Sequence, residues 1–335
     1  MKINFLTSNP DENVGSYRIW VRDLSKSFSE IGIESKIFLC ENNLEEATAD
    51  VIILGKSCYS EASRVKKIFP NSKIGAINVS CDYYNPDIDF IIVGSPEEYA
   101  SVSLYKNVFI YPLIERKFEN TKIKNHKNTK NIKFCFHGHW PHIPKFYPSL
   151  SSAIDFFHEN IMPAELHFIT SEGSTPYGKN FIPEKAKSFF YNYSNIDFTD
   201  TIMKFDIGLV PNITDLSVHA PDLSEYHNPS MGLYSTDFNI RFKNKTNGGR
   251  AYVFYQHGIP VIHDLSPSSF DFMGRTGSYI CGHDKDSYLR EMVRLSDPDF
   301  RNKISKINYS TFKRDFNSLD HAKMLVDFIK KEVSK

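Results

Sequence analysis

Arg241-Phe242-Lys243-Asn244-Lys245-Thr246-Asn247-Gly248-Gly249-Arg250-Ala251-Tyr252-Val253-Phe254-Tyr255-Gln256-His257-Gly258-Ile259-Pro260-Val261-Ile262 reads as a basic polar loop, a helix and a buried strand. Thr246 and Asn247 are N-cap residue types, and Gly258 is a stop. The pattern predicts a helix over 247–257 and a strand over 259–263. A helix N-terminus offers unpaired amides and the positive end of the dipole. Gly248 and Gly249 would let an anion approach the backbone closely. Arg241, Lys243, Lys245 and Arg250 add charge-assisted donors. A solvated cationic loop ahead of an ordinary helix shows the same charge. Cations, paired glycines and a helix start in one place favour phosphate binding.

Outward from this stretch, short apolar runs alternate with helical patterns. Strands are expected at 3–7, 35–39, 51–54, 74–79, 89–93 and 108–111. Most are continuous rather than alternating, as suits strands covered on both faces. Between the first two, Tyr17, Trp20, Val21, Leu24 and Phe28 recur at helical spacing, and Gly32 supplies a stop. This is a βαβ start to a parallel sheet. Residues 117–131, rich in Lys and Asn, read as a linker. A second series then has strands at 132–136, 165–170, 206–210, 259–263 and 279–281, helices at 149–159 and 247–257, and a largely helical tail from Asp284. The expected fold class is α/β, with two Rossmann-like lobes whose mostly parallel sheets face a central cleft. The lobes span 1–116 and 132–310, and a helical tail at 311–335 is expected to pack back on the first lobe.

The chain's 335 residues suit two domains. With 41% hydrophobic and 24% charged residues, disorder is not expected as the main state. Forty basic and forty acidic residues cancel, which argues against a general nucleic-acid binder but leaves room for a local basic cleft. No run reaches the roughly 18 apolar residues of a membrane helix. The start, from Met1 to Ser8, reads as a buried strand rather than a signal peptide. Five dispersed cysteines read as buried thiols rather than disulfides. The expected location is the cytoplasm, with room for peripheral contact at the inner face of the membrane.

Several familiar motifs fail. Gly55-Lys56-Ser57 has Asp50 where a phosphate loop needs glycine. The turn after the first strand has one glycine, Gly15, where a dinucleotide fingerprint needs three. No Gly-x-Ser-x-Gly elbow and no Cys-x-x-Cys pair occur.

The segment ending in Gly258-Ile259-Pro260-Val261-Ile262 resembles the C-terminal nucleotide-binding motif of GT-B glycosyltransferases, especially the retaining group. Phe205-Asp206-Ile207-Gly208-Leu209-Val210-Pro211 resembles the family's "acid, Ile-Gly-Leu-x-Pro" strand, and Gly15-Ser16-Tyr17-Arg18 its N-terminal loop and helix start. The resemblance implies a GT-B-like fold. It implies a nucleotide-sugar donor on the second lobe, with its phosphates at Thr246, Asn247, Gly248, Gly249 and Arg250, near Lys243 and Lys245. A glycan or lipid-linked acceptor is implied beside the first lobe, in surface polysaccharide assembly. The chain departs from the pattern in one respect. Many retaining members carry two glutamates around this helix, and the register places them at Lys245 and Val253. A donor of different chemistry, such as a CMP-linked keto-acid sugar, would suit Lys245 in place of an acid, beside the UDP- and GDP-sugars of the family.

His137-Gly138-His139-Trp140-Pro141-His142 follows the first strand of the second lobe. His137 and His139 read as donors to the phosphates, as a metal pair of the amidohydrolase kind, or as an inert polar loop. Asp82 follows a strand of the first lobe and is the first candidate for the base that takes the acceptor's proton, with Asp11 and Glu12 as alternatives. Asp82 also reads as a turn cap. Arg18 reads as facing an anion across the cleft, or as a surface residue. The long loop 212–239, carrying Asp215, His219 and His227, reads as a lid over the donor or a surface excursion. No cofactor and no metal are called for, because cationic side chains can take the place of a divalent ion. Two other functions remain open: a metal-dependent hydrolase using His137 and His139, and a non-catalytic two-lobed sugar-binding protein.

Overall fold

The computed structural model describes residues 1–41, 44–79, 84–102, 105, 107–146, 148–170, 181–212 and 246–334. The chain divides into two units. Unit 1 is Met1–Lys117 with Phe316–Lys335, and unit 2 is Phe118–Asp315.

Unit 1 is built on six parallel strands: β1 (Ile3–Thr7), β2 (Ile37–Leu39), β3 (Val51–Leu54), β4 (Lys73–Ile77), β5 (Phe90–Val93) and β6 (Val108–Ile110). Their spatial order is β2-β1-β3-β4-β5-β6. The unbroken apolar runs are explained by cover on both faces. Ile3, Phe5, Val51, Ile53, Phe90 and Ile92 pack on one side against Trp20, Leu24 and Phe28 of the first helix. Leu6, Ile52, Leu54, Ile74, Ile91 and Val93 pack on the other. That first helix, α1 (15–30), is α-helical over Gly15–Tyr17 and Leu24–Glu30, with a π-wound stretch at Arg18–Asp23 between them. The remaining helices begin with α2 (Ala62–Ile68), α3 (Pro96–Ser101), α4 (Ser149–Asn160), α5 (Phe198–Ile202) and α6 (Gly249–Gln256). Next come α7 (Pro267–Thr276), α8 (Lys285–Arg294), α9 (Pro298–Asp315) and α10 (Ser318–Val333). Helix α10 closes the first face of unit 1 with Ala322, Leu325, Val326 and Ile329.

Unit 2 has five parallel strands: β7 (Ile132–His137), β8 (Ala164–Thr170), β9 (Lys187–Asn192), β10 (Ile207–Val210) and β11 (Val261–His263). Their order is β11-β10-β7-β8-β9. Phe134, Phe136, Leu166, Phe168, Leu209 and Ile262 pack with α4 and α8 on one face. On the other, Phe254 of α6 lies over Gly208 so closely that an added Cβ would sit 2.7 Å from its ring.

Four sequence expectations change. Strand β9 was not foreseen: it is an edge strand in which half-buried Ser188 and Phe190 alternate with exposed Lys187, Phe189 and Tyr191, and Phe190 stacks on Phe168 of β8 at 4.9 Å. The strand expected at 279–281 is a single bridge between His263 and Cys281. The stretch expected as a linker belongs to unit 2 from Phe118 onward. Its polar groups hold helix ends: Lys124 N donates to His257 O (2.9 Å), His126 Nε2 to Gly258 O (2.9 Å), and the buried Arg301 to Lys127 O (3.0 Å). The unit boundaries also fall at 117/118 and 315/316, so 311–315 lie with unit 2.

Gly208→Ala should force α6 off β10 and destabilise the fold by about 1–3 kcal/mol, as overpacking of a tight core does. Urea midpoints of the two proteins measure this. An unchanged midpoint would show that α6 does not bear on that strand.

Candidate functional site

In unit 2, β7 and β10 lie side by side while the chain leaves them toward opposite edges, from β7 to β8 and from β10 to β11. Such a reversal leaves the carboxyl ends uncovered, and ligands of open parallel sheets bind there. Arg250, the second residue of α6, occupies that place. Its Nη2 donates to Asn212 Oδ1, just beyond β10. Its guanidinium lies 5.4 Å from the ring centre of Phe136 on β7. Its Cδ lies against Gly138, where an added Cβ would approach to 3.0 Å; Gly138 also has φ +142°, a conformation other residues avoid. The backbone N–H of Asn212 in turn donates to the buried Asp264, which follows β11. Three strand ends are thus tied together through one arginine.

Burial lowers the Arg250 pKa to about 10, against the attraction of Asp264. The group therefore stays charged at neutral pH. Its Nη1 is shielded from solvent and has no hydrogen-bond partner among the described residues. A buried cationic donor left unpaired is uncommon in folded proteins, and an anionic ligand would satisfy it.

Around it, Thr246 is buried, Gly248 packs against the Tyr252 ring, and Asn247 Oδ1 accepts from the Gly249 amide at 3.2 Å. The two glycines therefore do different work: Gly248 makes room for Tyr252, and Gly249 opens the helix. First-turn amides beyond Gly249 have no intrahelical acceptor. His137 is buried and donates Nε2–H to the Arg250 carbonyl at 2.9 Å. Its ring meets Phe254 and Phe198 edge-on, with centroids 4.9 and 5.4 Å apart. Burial lowers its pKa to about 3, so it is a neutral brace for α6. His139 is exposed beside Trp140, centroid to centroid 5.8 Å. The expected pair is thus split between a packed ring and a free one. Among the described residues no group of three His, Cys, Asp or Glu side chains could hold a metal ion.

Unit 1 repeats the reversal between β1 and β3. A pocket of about 90 Å³ opens there, lined by Ser8, Asn9, Ser16, Tyr17, Lys56 and Ser57 among others. Arg18 does not face it as a free cation. It is buried, pairs with Glu115 through both Nε (2.9 Å) and Nη2, and donates Nη1 to the Glu12 carbonyl. The guanidinium therefore anchors the loop after β1 rather than offering itself to an anion. Gly15, half-buried, starts α1 next to it. Asp11 is exposed and caps its own turn by accepting from Asn13 N at 2.9 Å. Glu12 is exposed and pairs with Arg22 at 2.7 Å. Asp82, Arg241, Lys243, Lys245 and the 213–239 loop lie outside the described residues. Asn212, Asp264 and Phe136 were not singled out from the sequence. Their common signal is position, at or just beyond the carboxyl end of a buried strand.

No protein-family model and no curated protein matches the chain. Solved structures do. A glycosyltransferase from Rickettsia africae ESF-5 superposes with a TM-score of 0.64 at 10% identity, over 100% of this chain and 98% of that one. An O-GlcNAc transferase mutant of Thermobaculum terrenum gives 0.61 at 8% identity, over 99% and 67%. The α-glucosyltransferase AGT in complex with UDP gives 0.57 at 12%, over 99% of each. The chain has the GT-B fold. Identities this low carry the fold and nothing finer, so the chemistry of the GT-B chain must come from its own residues.

Two outcomes test the site's construction. Glu115→Ala leaves the Arg18 charge buried and should lower stability by about 3–5 kcal/mol in urea titration; a loss under about 1 kcal/mol would mean that solvent reaches Arg18. His137 is held neutral, with its pKa lowered from 6.5 to about 3, whereas the unfolded chain takes up the proton. Its contribution is thus full above pH 6.5 and is lost as pH falls toward 3. At pH 5 unfolding of His137→Gln should take up about one proton fewer than wild type, read from the pH slope of stability. An equal slope in both proteins would show a titrating, solvated His137.

Proposed function

We propose that the chain is a glycosyltransferase that moves a sugar from a nucleotide-activated donor to a glycan or lipid-linked acceptor. The observation that carries this is the buried Nη1 of Arg250 at the β7/β10 reversal, without a partner among the described residues. When the bond between sugar and phosphate breaks, negative charge gathers on the departing phosphate. A fixed cation and helix amides aimed there stabilise the transition state more than the ground state. Arg250, the opening of α6 and exposed His139 provide this on the described residues, with Lys243 and Lys245 next to them in sequence. Asn212 and Asp264 position the guanidinium, so the site is formed before the donor arrives.

The acceptor belongs on unit 1, at the pocket lined by Ser8, Ser16 and Lys56. Asp11, exposed and without a cation partner among the described residues, and Asp82 are the bases proposed for the acceptor hydroxyl; Glu12 is drawn to Arg22. The AGT structure was solved with UDP, which favours a uridine nucleotide over the GDP- and CMP-linked alternatives. No described helix is long and apolar enough to cross a membrane. A lipid-linked acceptor would bring the chain to the inner membrane face from the cytoplasm, in surface polysaccharide assembly.

A thermal-shift series with UDP, GDP, CMP and their sugars identifies the donor class, because a specific ligand raises Tm by mass action. Arg250→Ala should weaken binding of the best nucleotide about 10–100-fold, the value of a charge-assisted hydrogen bond, with the far-UV CD spectrum unchanged. Arg250→Lys should fall between. Equal affinity in all three proteins would remove the donor-site assignment. Binding without release of free nucleotide in the presence of glycan acceptors would mark a sugar-binding protein instead, and loss of turnover to a chelator would return the hydrolase reading.

A further inference from the structure

Beneath the unit 1 pocket lie two buried thiols. Cys40 follows β2 and Cys58 follows β3, the strands that flank β1 on either side. Their sulfurs are 2.8 Å apart, with Cys40 Sγ–H donating to Cys58 Sγ. Two sulfurs at this distance are already inside van der Waals contact, and a disulfide bond of about 2.05 Å requires a further approach of only about 0.8 Å. Both backbones are held in place. The Cys40 amide donates to Thr7 O at 3.0 Å, at the end of β1. The Cys58 amide donates to Gly55 O at 2.9 Å, and Gly55 N to Leu6 O at 2.8 Å. Both side chains sit in one apolar cluster with Leu6, Leu54 and Ala62, so neither can swing away from the other without opening the core. Between them they span the carboxyl end of β1, the strand whose last residue, Thr7, lines the pocket together with Ser8, Lys56 and Ser57.

We propose that Cys40 and Cys58 are a redox-active dithiol, converted by peroxide to a disulfide that clasps the loops after β2 and β3 over the end of β1. The roles of the two sulfurs are unequal. Cys58 accepts hydrogen bonds from the Cys40 thiol and from Ser8, which holds its pKa below the usual thiol value in spite of burial. Cys40, as the donor, is held above it. Cys58 is therefore the thiolate and the nucleophile. It attacks one peroxide oxygen, the O–O bond breaks, and hydroxide leaves, giving a sulfenic acid on Cys58. The Cys40 sulfur then attacks the Cys58 sulfur. The S–O bond breaks, and the departing hydroxide takes the Cys40 proton as water. In sum, two thiols and one hydrogen peroxide give one disulfide and two waters. Peroxide suits the site because the thiols are only 6% and 1% exposed, and a molecule near the size of water is small enough for the pocket lined by Ser8, the residue that contacts Cys58. The bond would fix the turn bearing Lys56 and Ser57, whose φ of 75° already places it in the left-handed region. The assignment is independent of the glycosyltransferase proposal.

The full chain is reduced with dithiothreitol, freed of reductant, exposed to hydrogen peroxide, then unfolded in iodoacetamide and digested with trypsin. Cleavage after Lys36, Lys56 and Arg64 puts Cys40 and Cys58 on separate peptides, 37–56 and 57–64. The expected product is those two peptides joined, separated again by dithiothreitol, with Cys81, Cys135 and Cys281 alkylated. The Tm should rise on oxidation of the wild type and not of Cys40→Ser or Cys58→Ser. If either variant fails to fold, the wild-type peptide map decides alone. Recovery of both peptides alkylated, or of Cys58 as a sulfonic acid without a cross-link, would overturn the proposal.

Discussion

The constraint on which this protein depends is the strand order of its two parallel sheets. In each, two neighbouring strands send their connections to opposite edges: β1 and β3 in unit 1, β7 and β10 in unit 2. Right-handed crossovers then cover the sheet faces but leave the carboxyl ends between those strands open. Among the described residues, two groups of candidate side chains lie at these two gaps. Arg250, Gly138, Asn212 and Asp264 gather at the second, and Ser8, Lys56, Ser57 and the thiol pair at the first.

A buried arginine and a half-buried one show two ways of holding a guanidinium. Arg18 has a carboxylate gripping its fork and a carbonyl beneath it, so its charge is satisfied inside unit 1. Arg250 has an amide oxygen, an aromatic face and a carboxylate one residue further off. That set orients the guanidinium without neutralising it, and among the described residues one nitrogen keeps an unmet donor. A fully paired charge serves the scaffold, while a partly paired one could still take up a partner of opposite sign. The brace from His137 serves the same end, since a neutral ring can hold the Arg250 carbonyl without adding a second positive charge.

Much of the fold could be read in the chain itself. Runs such as Val51-Ile52-Ile53-Leu54 and Phe90-Ile91-Ile92-Val93 have no polar face, and only a strand covered on both sides buries them fully. Helix α6 showed its stop at Gly258, but it starts two residues past the expected Asn247, with Gly248 at the N-cap and no side-chain cap bond. Strand β9 did not, because Lys187 to Asn192 sits at an edge where polar and aromatic residues are both tolerated. The polar stretch 118–131 misled for the opposite reason: Lys and Asn suit a solvated linker, but here the Lys124 amide and the His126 ring satisfy the carbonyls at the end of α6.

The sequence by itself determined the alternation of strands and helices, their parallel arrangement and the basic opening of α6, since periodicity and caps act over a few residues. Only the tertiary structure decided which of the candidates meet. Arg18 and Glu115 lie 97 positions apart, and Arg250 and Asn212 lie 38 apart. Whether a charge is paired depends on a partner brought in by the sheet order, and no local pattern encodes that. The same holds for Cys40 and Cys58, unremarkable in sequence and in contact only because β2 and β3 flank β1.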